Sequence, residues 1–215
     1  MQRIADGLWR WTGIHPQWEP LPEEDLPREV GCVYYGAEDA IVLVDPLVPP
    51  EDRDRFLEAL DRDVERGQRP VAIVLTCPWH ARSSVELARR YGGTVHVHGR
   101  DERQPMKDAR QYSFGDALPG GVISFDAHFH GEALLWIPAH GTLVSGDLLG
   151  VSRGGGLRVA PDEWLPEDER GGRIHTSLRF LLDLPVERVL VGHGDPVLED
   201  GRQALAAALH APSAA

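Results

Sequence analysis

Val74-Leu75-Thr76-Cys77-Pro78-Trp79-His80-Ala81-Arg82 is the stretch on which the reading of this chain turns. Ile73 to Leu75 completes an apolar run that begins at Val71, the pattern of a strand covered on both faces. The loop after it crowds several chemically distinct side chains into seven positions. A Cys77 thiolate and a His80 imidazole are both zinc-type ligands. Cys77 is equally suited to be a small buried hydrophobe behind the strand. Trp79 is no ligand, because an indole only donates. Arg82 is a permanent cation.

Outward from this loop the chain alternates short strands with helices. Leu8 to Thr12, Cys32 to Tyr35 and Ala40 to Val44 read as strands, the last two joined by a turn at Gly36 to Asp39. Pro49-Pro50-Glu51-Asp52 is a helix start, and the helix is predicted to run to Arg66. Ser83 to Tyr91 is a helix stopped by Gly92-Gly93. Strands follow at Thr94 to His98, Val122 to Phe125, Ala133 to Ile137, Thr142 to Ser145 and Val189 to Val191. Helices are expected over Ile174 to Leu182 and Gly201 to Leu209. The proline-rich His15 to Arg28 segment reads as an extended loop, either a lid or a connection, and Gly154 to Gly156 as a mobile one. Strands separated by helices without strict βαβ alternation point to a mixed α/β (α+β) layered fold.

Three further segments hold candidate site residues. Asp126-Ala127-His128-Phe129-His130-Gly131-Glu132 precedes the Ala133 strand. Leu143-Val144-Ser145-Gly146-Asp147 ends a strand in Gly-Asp. Val189-Leu190-Val191-Gly192-His193-Gly194 ends a strand in Gly-His-Gly, whose glycines permit a tight turn that aims the imidazole inward.

With these four blocks in this order, the chain resembles the metallo-β-lactamase superfamily from roughly Cys32 to Leu209. The resemblance implies a four-layer αββα sandwich, one domain over residues 1–215. It also implies a Thr-His-x-His-x-Asp-His metal loop, on which Thr76 matches while Cys77, Trp79, Ala81 and Arg82 stand at the His, His, Asp and His positions. His128 aligns with the histidine of a Gly-His-Thr-x-Gly turn, with His130 competing for the role. Asp147 aligns with a carboxylate that bridges two metals, and His193 with a metal-binding histidine. About seven ligands make the family's two-metal centre, and four of those positions are substituted here. The expectation is therefore at most one ion per chain, zinc or iron, or none. His193, His128, Asp147, His80 and Cys77 are the candidate ligands, His80 through a small shift of the loop. Arg82 is expected to pair with Asp147 in place of a second metal, or to stabilise an oxyanion.

Composition narrows the function. The 215 residues are 42% hydrophobic and 26% charged, with a net charge of −12. That charge argues against nucleic acid or an anionic membrane as partner, and no apolar run approaches a membrane-spanning length. The N-terminus lacks a signal-peptide core, and the two cysteines, Cys32 and Cys77, form no disulfide framework. A cytoplasmic location is expected. Arginine outnumbers lysine 21 to 1, with Lys107 the sole lysine, as in a GC-rich, bacterial genome. Leu8-Trp9-Arg10-Trp11 either pairs across a homodimer interface or packs in the core.

Three functions remain open. The first is a metal-dependent hydrolase of a small ester, thioester or lactone, with Asp147, His80 and Arg82 at the reacting centre. The second is a metal-free site using His80 or His193 as general base. The third is a non-catalytic small-molecule binder on the same scaffold. No Gly-x-Ser-x-Gly elbow supports a serine hydrolase. Hydroxyacylglutathione hydrolases keep all seven ligands, so their activity is not carried over.

Overall fold

The computed structural model describes residues 1–14, 28–99, 106, 108–151 and 155–210. The lid or connection expected over Pro16 to Pro27 lies outside them, as does Gly154. Seven strands form the first sheet in sequence order: β1 (Gln2–Ala5), β2 (Leu8–Ile14), β3 (Glu29–Gly36), β4 (Ile41–Val44), β5 (Val71–Val74), β6 (Thr94–Val97) and β7 (Arg110–Gln111). The pairs up to β4 are antiparallel and those from β4 to β7 parallel. The second sheet contains β8 (Ala117–Leu118), β9 (Val122–Asp126), β10 (Ala133–Ile137), β11 (Thr142–Ser145) and, after a small hairpin of β12 (Leu149–Val151) and β13 (Leu157–Val159), β14 (Arg188–Val191). Its order is β14-β11-β10-β9-β8, with β14 parallel to β11.

Two-residue periodicity sorts β4 between two cores. Val42 and Val44 face the second sheet, where they meet Leu135, Ile137, Val144 and Leu190. Ile41 and Leu43 face outward, against Phe56, Leu57 and Leu60 of α1 (Arg53–Gly67) and Leu87 of α2 (Ser84–Tyr91). The second sheet repeats the arrangement. Leu134, Trp136 and Leu143 point away from the first sheet toward Ile174 of α3 (Arg173–Ser177) and Leu205 of α4 (Gly201–His210). Helices, sheet, sheet and helices give the four-layer αββα sandwich. These strands are apolar on both faces because both are buried, and truncating one such leucine to alanine costs about 2–5 kcal/mol.

Several elements differ from the sequence reading. Ile174 to Leu182 is not one helix. After Ser177 the chain tightens to a 3-10 segment at Arg179–Asp183, with Leu181 N–H bonded to Leu178 O. Ile174, Leu178 and Leu181 are all fully buried, so the tighter winding keeps one apolar face inward. The segment read as irregular before Gly121 contributes β7 and β8, and β1 and the β12–β13 hairpin were not legible. Leu8 and Trp11 are buried in the core. Among the described residues, no helix is long and apolar enough to cross a membrane.

Candidate metal centre

Parallel β4 and β5 end side by side, and the site is built on the loops that leave them. Asp45 follows β4 with φ of 45°, a left-handed conformation uncommon outside glycine. That turn aims its buried carboxylate at the loop after β5. Asp45 Oδ1 accepts the Thr76 N–H at 2.9 Å, and Oδ2 accepts the Thr76 hydroxyl at 2.5 Å. Oδ2 also meets His80 Nδ1 at 2.9 Å. A carboxylate on Nδ1 fixes the imidazole tautomer and leaves Nε2 to face the site.

Nε2 of His80 points across the gap between the sheets. It lies 3.3 Å from Oδ1 of Asp147, which follows β11, and His193 Nε2, from the turn after β14, lies 3.4 Å from the same oxygen. Trp79 Nε1–H donates to the other oxygen, Oδ2, at 2.9 Å. The charges support one another. Burial disfavours ionised Asp147, but His80 and His193 outweigh it and hold the carboxyl well below its ordinary range. Burial likewise pulls His80 down, yet Asp147 first and Asp45 after it push its pKa up to about 9, against an opposing Arg82.

Glu132, immediately before β10, is fully buried behind Asp147. Oε1 accepts Ser145 Oγ–H and Gly146 N–H, both at 2.8 Å. Oε2 accepts Asp147 N–H at 2.8 Å and Leu148 N–H at 2.9 Å. Cys77 Sγ lies 3.6 Å from Oε2 as a further donor. Burial, then Asp147, pushes Glu132 up to about 7 while its donors pull it back. Burial and the Glu132 carboxylate raise the Cys77 thiol well above its ordinary value.

The structure thus brings Cys77, His80, Asp147 and His193 together. Ligand atoms of Cys77, His80 and Asp147 all lie within 4.8 Å of one another. His128 Nδ1 is 3.4 Å from Glu169 Oε1, and its backbone N–H donates to Asp126 Oδ1. His130 donates to Trp164 O. The ion pair expected between Arg82 and Asp147 does not form among the described residues. Arg82 Nη1 instead donates to Asp45 O at 2.9 Å and Gly31 O at 3.2 Å, which turns the guanidinium toward β3 and away from Asp147.

Among solved structures, DIM-1 metallo-beta-lactamase aligns with 97% of this chain and 94% of its own at 12% identity and a TM-score of 0.66. FIM-1 from Pseudomonas aeruginosa, in its mono-zinc form, aligns over 97% and 92% at 14% identity and a TM-score of 0.63. TTHA1623 in a di-iron-bound form aligns over 84% and 93% at 20% identity and a TM-score of 0.58. The chain has the metallo-β-lactamase fold. No protein-family model matches the sequence, and no curated protein matches it.

Within a metallo-β-lactamase fold, Cys77, His80 and Asp147 have donor atoms placed to suit a metal ion. Asp147 Oδ1 is buried and receives no well-directed hydrogen bond, although two imidazole nitrogens face it. Those nitrogens, that oxygen and the Cys77 sulfur form a mixed donor set of the kind zinc or iron accepts. Asp45 supports His80 from behind, as outer-shell carboxylates do. Ala81 offers only a methyl and Trp79 only donates, so neither adds to this donor set. Asp45 and Glu132 were missed in the sequence. Their signal was a lone acid abutting a wholly apolar strand, Asp45 after Ile41–Val44 and Glu132 before Ala133–Ile137.

Proposed function

We propose that the protein is a hydrolase that uses at most one metal ion, zinc or iron, on an ester, thioester or lactone-type small molecule. The observation that carries this is the convergence of Cys77, His80 and Asp147 ligand atoms within 4.8 Å, with His193 on the same Asp147 oxygen. When bound, the ion supplies Lewis acidity and a water of lowered pKa. The protein supplies the rest. Asp45 holds the Nδ1 proton of His80, and Trp79 pins Asp147 Oδ2 so that Oδ1 faces the two imidazoles. Cys77 and Cys32 are both buried and unpaired, which suits a reducing, cytoplasmic location.

One observation favours a second reading, a metal-free site or binder. His80 is clamped between Asp45 and Asp147 and pushed up to about 9, so a protonated imidazole can balance the two carboxylates without an ion. The readings separate in one assay. Untagged protein is incubated with zinc, iron or manganese and tested on nitrophenyl esters, acyl thioesters and lactones, with and without chelator. The hydrolase reading expects turnover that chelator removes and His193→Ala abolishes. Turnover untouched by chelator supports the metal-free site, and no turnover with any metal contradicts the hydrolase.

A further inference from the structure

We propose that Glu132 is the positioning residue of this site: its buried carboxylate binds the β11 turn and thereby aims Asp147 at His80 and His193. The inference rests on the reading that these three residues form the functional site. Four donors from consecutive residues, the Ser145 hydroxyl and the Gly146, Asp147 and Leu148 N–H groups, close on Glu132 at 2.8–2.9 Å. Successive backbone N–H groups that converge in this way form an anion-binding concavity. Here the anion belongs to the chain itself and comes from the residue that leads into β10, the strand beside β11. Without it three backbone donors would be buried and unsatisfied, and the turn that carries Asp147 would have no reason to keep this shape.

The cradle is filled on its other side by the metal loop. A Cβ on Gly146 would lie 2.5 Å from Thr76 Oγ1, 3.0 Å from Cys77 Sγ and 3.1 Å from the His80 ring. The β11 turn therefore packs directly against Thr76, Cys77 and His80, and a small rotation about Gly146 changes the Asp147–His80 distance. Glu132 touches no space a substrate could enter, since it is fully buried, so it acts through Asp147. A glutamine at this position keeps the shape but not the function. Its amide oxygen accepts on one side, while its NH2 faces N–H donors on the other.

The test uses the full chain as wild type, Glu132→Gln and Glu132→Ala, with two readouts. Zinc affinity is measured by competition with a chromophoric chelator. Ring 15N shifts of His80 and His193, read with the amide shifts of residues 146–148, report the Asp147 contact without metal. The expected result is a zinc affinity weakened about 10–100-fold in Glu132→Gln, the usual cost of losing an outer-shell partner. The 146–148 amides and both imidazoles should shift in parallel, and formate added to Glu132→Ala should move them back. Wild-type imidazole shifts and affinity in a folded Glu132→Gln protein would overturn the proposal. If wild type binds no metal, the metal reading fails alone, and unchanged imidazole shifts in Glu132→Gln still decide against Glu132. Should Glu132→Ala fail to fold, Glu132→Gln carries the same readouts.

Discussion

The loop Thr76 to Arg82 and the turns facing it, Gly146-Asp147 and Gly192-His193-Gly194, form one site under unequal constraints. The turns are fixed by backbone packing. A Cβ on Gly192 would lie 2.3 Å from Gly146 O, and one on Gly194 2.1 Å from Val151 O. Gly194 also sits at φ of 93°. These glycines let the turn after β14 pack backbone to backbone against the β11 turn and β12, whatever the chemistry at Asp147 and His193. The loop contains no glycine, and its backbone is tied to the second sheet through Ala133 N–H on Thr76 O. Its other anchors are side chains, Asp45 on Thr76 and His80 and Arg82 on the carbonyls of Asp45 and Gly31, and side-chain anchors can be exchanged while the backbone path is kept. The turns therefore retain a recognisable pattern, and the loop carries a different ligand set.

Substitution at the turns should be the most damaging. Gly194→Ala is expected to cost about 4 kcal/mol or more, because backbone must move and a left-handed φ is strained. Chemical denaturation measures it, and a loss under 1 kcal/mol would break the contrast. At Cys32 of β3, which faces Arg82 of the loop, pH gives the next largest effect. Burial pushes the Cys32 thiol up to about 11, with Arg82 opposing. A thiol whose folded pKa is raised adds no penalty below its unfolded pKa of about 9 and destabilises as pH climbs from there toward 11. The full effect is about 3 kcal/mol at two pKa units. Stability curves of wild type and Cys32→Ala should diverge over that window, and parallel curves would refute the assignment. Trp79→Phe is the mildest. It removes one indole N–H from Asp147 Oδ2 and should cost about 1 kcal/mol while weakening metal binding more than it weakens the fold. An unaltered affinity would show that Oδ2 needs no anchor.

The same contrast explains what was legible in the sequence. The apolar runs Ile41–Val44 and Ala133–Ile137 marked the sheets. Gly-Asp and Gly-His-Gly marked Asp147 and His193, because steric demand writes itself into residue type. Asp45 and Glu132 were not legible, since a buried carboxylate acquires its role from partners 31 residues away at Thr76 or 14 away at Gly146. His128 illustrates the reverse. Its place in the motif suggested a ligand, and residue type announced neither its left-handed φ of 55° nor its contact with Glu169. The Arg82–Asp147 pair failed for a similar reason: Arg82 is also left-handed, at φ of 37°, and reaches β3 instead.

Metal content of the untagged protein, purified without chelators and measured by inductively coupled plasma mass spectrometry, tests the central claim most directly. The account predicts about one zinc or iron per chain in wild type, with loss in both His80→Ala and His193→Ala. Two ions per chain, or one that survives both substitutions, would contradict a single site at Cys77, His80, Asp147 and His193. No ion after incubation with zinc, iron and manganese would contradict it as well, and would leave the His80 clamp as a metal-free site.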